Sequence, residues 1–177
     1  MGEVARIEER REASLVTEAS DRIAFEDFFH SEKDRLLQLM SVITGSRAEA
    51  EDITQEAFTH LFERWEAVAT MDNPAGYLHR AAMNQFRSRY RRTAVALRRA
   101  VALGPTRDVF EEVDDRDLAI RALGALPPRQ RAALVLTEAL GYSGEEAGRL
   151  LGVQATTVWA LTHQARAALA TMEEADA

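Results

Sequence analysis

The stretch AEAEDITQEAFTHLFERW, residues Ala48–Trp65, decides the fold of this chain. Its apolar residues recur at every fourth position, which is the spacing of an amphipathic helix. These residues are Ile53, Ala57, Leu61 and Trp65. The other side of the helix carries acidic and polar residues that would face solvent or a partner. Ser46 followed by Glu49 is a capping box, and it predicts that the helix starts at the Gly45–Ser46 break.

A basic helix is predicted to follow after a short loop. Asn73 offers an N-cap and Pro74 a first-turn proline. The sequence from there is PAGYLHRAAMNQFRSRYRR, which combines arginines with Tyr77, Phe86 and Tyr90. A negative helix beside a positive aromatic helix suggests two different macromolecular partners.

Charge is strongly segregated along the 177 residues, although the formal net charge is −7. Residues 73–107 hold eight arginines and no acidic residue, whereas residues 108–117 hold six acidic residues and one arginine. A local basic patch sets the field that a polyanion experiences, so the overall negative charge does not exclude nucleic-acid binding.

Several function classes are disfavoured by composition. The chain has no cysteine, which excludes disulfides and thiolate metal sites within it. No apolar run has the length of a membrane span, and the charged N-terminus lacks the apolar core of a signal peptide. We therefore expect no membrane insertion and a cytoplasmic location.

The remaining patterns predict an all-α chain with two small helical domains on a flexible linker, the second a helix-turn-helix. We expect an N-terminal tail (1–20), a first helical domain (21–95), a linker (96–117) and a second helical domain (118–173). The helix-turn-helix spacing runs from Ser143 to Arg166, with Gly148 at the helix crossing and Gly152 in the turn. Val153 and Val158 would fill the gap between its helices.

Two motifs resemble a known family. The pattern AEDITQEAF, a tryptophan, NPAGYL, an asparagine and then a basic cluster resembles the core-binding and promoter-melting region of bacterial sigma factors, in particular the extracytoplasmic-function group. The stretch LPPRQRAALVLTEALGYSGEEA followed by the helix-turn-helix resembles the promoter-binding C-terminal region of the same family. The resemblance implies an alternative sigma factor that binds core RNA polymerase, directs it to promoter DNA and assists melting of the −10 element. Members are commonly held inactive by an anti-sigma protein, which adds a further candidate partner.

The resemblance also implies roles for individual residues. Core-polymerase binding would fall to Asp52, Gln55, Glu56 and Phe58. Contacts to the −10 element would come from Asn73, Tyr77, Arg80, Asn84, Arg87, Arg89, Tyr90, Arg91 and Arg92. Arginines would hold the backbone, while aromatic rings and an asparagine would trap an unstacked base. Phe86 is a further stacking candidate, unless Phe86 and Tyr77 belong to the core.

Contacts to the −35 element would come from the second helix of the helix-turn-helix, through Gln154, Thr156, Thr157, Trp159, His163 and Arg166. This helix departs from the family pattern, because no arginine precedes Arg166. Phosphate contacts supply much of DNA affinity, so we expect the helix to bind DNA weakly by itself. Two interpretations stand for Trp159 and Leu161. We favour the one in which both are core residues; in the other, both are exposed and dock a protein.

Other functions are considered as well. Asp52, Glu56, His60 and Glu63 have helical spacing that could present a metal face, but no matching Glu-x-x-His elements occur elsewhere. We therefore predict no catalysis, no metal and no cofactor. A helix-turn-helix regulator acting without polymerase and a sigma-like decoy that binds a regulator protein remain alternatives. The weak charge of the recognition helix counts against the first, and the arginine run against the second.

Overall fold

The computed structural model describes the backbone of residues 24–99 and 118–176, and the side chains of 24–92 and 122–172. These residues form helices, with no strand among them. The predicted tail (1–20) and most of the predicted linker (100–117) lie outside the described residues. The helices are α1 (24–44), α2 (Arg47–Phe62), α3 (Trp65–Val68), α4 (Pro74–Arg99), α5 (Leu118–Ala125), α6 (Pro128–Leu134, continuing as a π turn over Val135–Ala139), α7 (Gly144–Leu151) and α8 (Ala155–Asp176).

Local hydrogen bonds set the start of three helices. The Ser46 side chain accepts a hydrogen bond from the backbone N–H of Glu49, as predicted for α2. The predicted capping box is only half formed, because the backbone N–H of Ser46 donates to the Thr44 hydroxyl, at 3.1 Å, rather than to the Glu49 side chain. Asn73 caps α4 by accepting a hydrogen bond from the Gly76 N–H at 2.7 Å. Ser143 and Glu146 form a complete capping box at the start of α7.

The N-terminal unit comprises α1 to α4, with its core between α1, α2 and α4. The predicted stripe is buried at Ile53, Ala57 and Leu61. The predicted helix does not continue to Trp65, however: α2 ends at Phe62, and Trp65, which is 8% exposed, begins α3. A cluster of aromatic rings closes one end, where Phe25 lies 5.3 Å from Trp65 and 4.8 Å from Phe62 between ring centres. The aromatic residues of this unit are therefore mainly structural.

The C-terminal unit comprises α5 to α8 and contains the predicted helix-turn-helix. Gly152 ends α7 with φ at 66°, in the left-handed region that favours glycine. A Cβ on Gly148 would lie 2.8 Å from the Val153 carbonyl oxygen, so only glycine fits where α7 meets the turn. Val158 is buried beneath the turn, as predicted.

The two units pack against each other. Most of their buried apolar residues form one continuous cluster that extends from Leu36 to Val158, while Leu126, Leu134 and Ala165 form a second, smaller one. Arg131 of α6 is 3% exposed at this boundary and donates a hydrogen bond to the Ile43 carbonyl at 3.1 Å. It also donates to the carbonyls of Leu123 and Gly124, each at 3.3 Å. Burial lowers the pKa of Arg131 to about 10, so the side chain remains a cation at neutral pH.

Candidate nucleic-acid interface

The acidic face of α2 is accessible. Asp52 and Gln55 are exposed and Glu56 is half-buried. Phe58 is only 4% exposed and packs edge-on against Phe29, with 4.8 Å between ring centres. Of the four candidate polymerase-binding residues, three therefore present polar groups at the surface, while Phe58 belongs mainly to the core.

An open groove runs between α1 and α2 beside this face. Gln55 and Phe58 line it together with Phe25, Phe29 and Phe62. Phe62 is 57% exposed, and Lys33, Asp34, Arg47 and Glu51 supply charges to the groove lining. The sequence analysis did not identify this groove, because it depends on how α1 packs against α2.

Arg89 joins the acidic helix to the basic one. It lies 3.2 Å from an Asp52 carboxylate oxygen and 2.5 Å from a Glu56 carboxylate oxygen. Burial opposes the charge on Arg89, but the hydrogen bonds to Asp52 and Glu56 outweigh it and raise the pKa of Arg89. Two candidate polymerase-binding residues and one candidate DNA-binding residue thus form one ion-pair cluster.

A basic stripe runs along α4 on the surface. Arg80, Asn84, Arg87 and Arg91 follow one another at intervals of three or four residues, which places them on one side of the helix. Arg80, Asn84 and Arg91 are exposed, as is the neighbouring Arg92. The Arg87 guanidinium donates a hydrogen bond to the Asn84 side chain at 3.2 Å. This stripe has the charge and the hydrogen-bonding groups to hold a nucleic-acid backbone.

The C-terminal unit covers one edge of this stripe. The guanidinium of Arg87 lies so close to Gly152 that any Cβ there would overlap it. Arg129 of α6 lies over the Tyr90 ring, 5.7 Å from its centre. The Tyr142 hydroxyl lies 2.9 Å from Nδ1 of His79. Arg87 and Tyr90, both half-buried here, therefore cannot engage DNA fully while the two units remain in contact.

Other predicted −10 residues have structural contacts. The Asn73 side chain is exposed but is used as the cap of α4. Tyr77 is half-buried against the core, and Phe86 is 3% exposed beside Tyr90. Phe86 therefore belongs to the core. Of the two roles left open by the sequence, stacking on a base or packing in the core, the structure shows the second.

The recognition helix α8 presents its predicted residues to solvent. Gln154, Thr156, Thr157, Trp159, His163 and Arg166 are all exposed. Trp159 is 71% exposed, so the favoured interpretation of it as a core residue is wrong. Its side chain points away from the core because Val158, Thr162 and Ala165 occupy the buried side of the helix. Leu161, in contrast, is half-buried and packs against the core as expected.

Three residues with marked roles were not singled out from the sequence. His79, Arg131 and Tyr142 form polar contacts between or beside the two units. Burial lowers the pKa of His79, although Glu32 acts in the opposite direction. Burial also raises the pKa of Tyr142, so its hydroxyl stays protonated. The sequence carried a signal for Arg131, because this arginine directly precedes the apolar run Ala132–Leu136 in the same helix.

Family models match both halves of the chain. The model for sigma-70 region 2 matches residues 28–95, and the model for sigma-70 region 4 matches residues 116–169. The chain is 31% identical over 175 residues to the ECF RNA polymerase sigma factor SigM of Mycobacterium tuberculosis, covering 92% of this chain and 84% of that protein. It is 29% identical over 149 residues to the RNA polymerase sigma-E factor of Streptomyces coelicolor, covering 83% and 84% of the two chains.

Two solved structures share the fold. The sigma factor RpoE of Bartonella quintana, crystallised with the anti-sigma factor NepR, gives a TM-score of 0.63 at 21% identity, covering 87% of this chain and 99% of that one. CnrH in complex with the cytosolic domain of CnrY gives a TM-score of 0.56 at 23% identity, covering 88% and 91%. Within the described residues, no helix is both long enough and apolar enough to cross a membrane.

Proposed function

Since the chain belongs to the extracytoplasmic-function sigma factors of the sigma-70 family, we propose that it acts through three surfaces assigned below. As a sigma factor it binds core RNA polymerase, directs it to promoters and assists melting of the −10 element. The action is binding and positioning rather than catalysis, and it takes place in the cytoplasm with the polymerase. The single observation that carries the residue assignment is the exposed acid-free arginine stripe of α4 beside the acidic face of α2.

The polymerase-binding surface comprises Asp52, Gln55 and Glu56 together with the groove between α1 and α2. Carboxylates at the rim would steer a basic partner helix, and the aromatic floor would supply apolar contact area. Phe58 contributes through that floor and Phe62 through its exposed ring. This combination of an apolar groove and a charged rim suits a helical partner.

The −10 surface lies on α4. Arg80, Arg91 and Arg92 would hold the backbone of the promoter strand, while Asn84 can hydrogen-bond to a base edge. Tyr90 would add a stacking surface once Arg129 has moved away from its ring. Arg89 is assigned to the ion-pair cluster with Asp52 and Glu56 and acts on DNA only indirectly.

The C-terminal unit would bind the −35 element through the exposed face of α8. For α4 and α8 to contact promoter DNA at once, the two units have to separate, because Gly152 and Arg129 cover Arg87 and Tyr90. An anti-sigma protein is a further proposed partner. Support comes from the two solved structures of the same fold, since both contain a bound partner, named in one as an anti-sigma factor.

The experiment mixes purified protein with bacterial core RNA polymerase and measures complex formation and transcription from promoter DNA of the source genome. Gln55→Lys and Asp52→Lys should weaken the complex by at least about tenfold, since each places a cation on a surface meant for a basic partner. Glu145→Lys is the matched control: it makes the same charge change as Asp52→Lys at an exposed residue of α7. Its complex should be unaffected.

Arg91→Ala and Arg92→Ala should bind core normally but lose initiation on duplex promoters. Rescue of this loss by a template that is already unpaired at the −10 element would place the defect in melting. Specific duplex binding by the protein alone, with no complex with core, would instead support a regulator that acts without polymerase.

A further inference from the structure

Trp159 is the most exposed large apolar side chain among the described residues. It is 71% exposed, compared with 57% for Phe62 and 39% for Leu140. It is the fifth residue of α8, on the same stripe as Thr156 and His163. This stripe is opposite the buried residues of α8, so it is the surface that the helix-turn-helix presents to the outside.

The stripe around Trp159 contains no permanently charged side chain. From Ala155 to Ala165 the helix contains no lysine, arginine or acidic residue. Arg166, the first arginine, pairs with Glu138 at 2.5 Å. Recognition of guanine commonly uses arginine or lysine, and neither is available at the centre of this face.

The indole of Trp159 has a neighbouring ring on the same helix. Its ring lies against the His163 imidazole, one helical turn further on, with 5.6 Å between ring centres. The Thr162 hydroxyl shares its one proton between the Trp159 carbonyl at 2.9 Å and the Val158 carbonyl at 3.1 Å, so this hydroxyl is satisfied within the helix. A rigid aromatic side chain loses little conformational entropy when it binds.

We propose that Trp159 reads thymine in the −35 element by packing its indole against the 5-methyl group. The 5-methyl group of thymine is the apolar feature that base pairs present in the major groove, into which a recognition helix fits. A large apolar side chain at the centre of an uncharged recognition face matches that feature. This inference rests on the proposed function, in which α8 contacts the −35 element.

The test begins with promoter selection. The protein and core polymerase select transcribed templates from a library randomised in the −35 element, and we expect thymine to be enriched at one or two positions. Each enriched thymine is then replaced by deoxyuridine, which removes the methyl group and leaves every hydrogen-bonding group in place. Burying one such carbon group raises binding affinity by a factor of about four. We therefore expect each replacement of a contacted thymine to lower the affinity for the promoter by about that factor.

Variants at position 159 assign the effect to the indole. Trp159→Ala should bind the thymine and uracil templates equally, while Trp159→Phe should retain most of the discrimination. Leu140→Ala is the matched control, because it removes an exposed apolar side chain from the same unit without changing α8. It should discriminate between the two templates as the original protein does. Circular dichroism of each variant checks that the helices have formed.

The outcomes separate this inference from the function on which it rests. If the original protein initiates equally well with and without the methyl group, the inference about Trp159 is overturned and the proposed function stands. The same methyl dependence in Trp159→Ala would also overturn it, because another residue would then be the reader. Loss of the complex between Trp159→Ala and core in the absence of DNA would assign the indole to a protein contact instead. Failure of the original protein to initiate with core on any template would count against the proposed function itself.

Discussion

At the residue scale, Arg89 and Arg91 are close in sequence but differ in environment. Arg89 is held between Asp52 and Glu56, whereas Arg91 is exposed. We expect Arg89→Ala to lower the free energy of unfolding by about 1 kcal/mol, the scale of an ion pair near the surface. Arg91→Ala should leave stability unchanged and weaken binding to −10 single strands. Chemical denaturation and strand titrations measure the two effects, and equal stability losses would contradict the assignment.

Salt dependence provides a second way to distinguish the two arginines. A residue that neutralises a phosphate contributes about 0.9 to the slope of log affinity against log salt concentration for duplex DNA, and about 0.7 for a single strand. Arg91→Ala should therefore reduce the slope for strand binding by about 0.7, the value for one contact to a single strand. Arg89→Ala should leave this slope unchanged. A reduced slope for Arg89→Ala would place its guanidinium on the DNA after all.

For Trp159 and Phe86, the sequence could not predict whether the side chain is buried or exposed. Both are aromatic residues in helices of mixed pattern, and the sequence left each open between core and surface. Phe86 is buried and Trp159 is exposed. The choice depends on the rotation of each helix about its axis, which is fixed by distant packing partners rather than by neighbours in sequence.

At the scale of a helical element, the turn of the helix-turn-helix depends on Gly148. An added Cβ there would come 2.8 Å from the Val153 carbonyl oxygen, which is backbone and cannot move away easily. We expect Gly148→Ala to destabilise the C-terminal unit by about 1–3 kcal/mol through overpacking. Gly144→Ala is the matched control in the same helix, since its Cβ would meet only ordinary contacts at 3.8 Å. Thermal unfolding compares the two, and similar melting temperatures would contradict the expectation.

Helix boundaries could largely be predicted from local chemistry. Ser46, Asn73 and Ser143 cap the helices at which they were expected, because capping is decided within three or four residues. The π turn over Val135–Ala139 could not be predicted in this way. There the Leu140 N–H donates to the Val135 carbonyl and the Tyr142 N–H to that of Leu136. Nothing in the apolar pattern of this segment separates a π turn from a continued α-helix.

At the scale of the whole molecule, the contact between the two units depends on Arg131. Arg131→Met keeps much of the side-chain volume but leaves the Ile43 carbonyl without its charged donor, at a cost of about 1.5–3 kcal/mol. We expect the units to separate and binding of −10 strands by Arg87 and Tyr90 to strengthen. Arg149→Met, an exposed position on α7, is the control and should change neither property.

The absence of cysteine makes this separation measurable. Single cysteines at the exposed residues Glu66 and Ala167 would carry a pair of distance labels, one on each unit, with no competing thiol. The label distance should lengthen in Arg131→Met and when core polymerase binds the original protein. An unchanged distance in the polymerase complex would mean that the contact between the units persists in the active state.

Acid should also separate the units, through His79. Burial lowers the pKa of His79 below its ordinary value, so at mildly acidic pH the separated form takes up a proton that the packed form resists. Stability of the contact is therefore full above the ordinary histidine pKa of about 6.5 and falls as the pH drops below it. His79→Gln should remove this part of the pH dependence of the label distance. His163→Gln, at an exposed position, should retain it.

The contact between the units lay beyond sequence reasoning for a physical reason. Arg131 and Ile43 are 88 residues apart in the chain, and no local pattern records which carbonyl a buried guanidinium will find. The two family motifs predicted two domains and their order. They gave no indication that one apolar cluster would include both.

The packed arrangement also sets an upper limit on what any opening substitution can gain. If strands bind only to the open form, the apparent dissociation constant equals the intrinsic one divided by the open fraction. A protein that is open about one per cent of the time could therefore gain at most about a hundredfold in affinity, whichever contact is removed. The plateau reached by successive opening variants would measure the resting population of the open form, without any spectroscopic label.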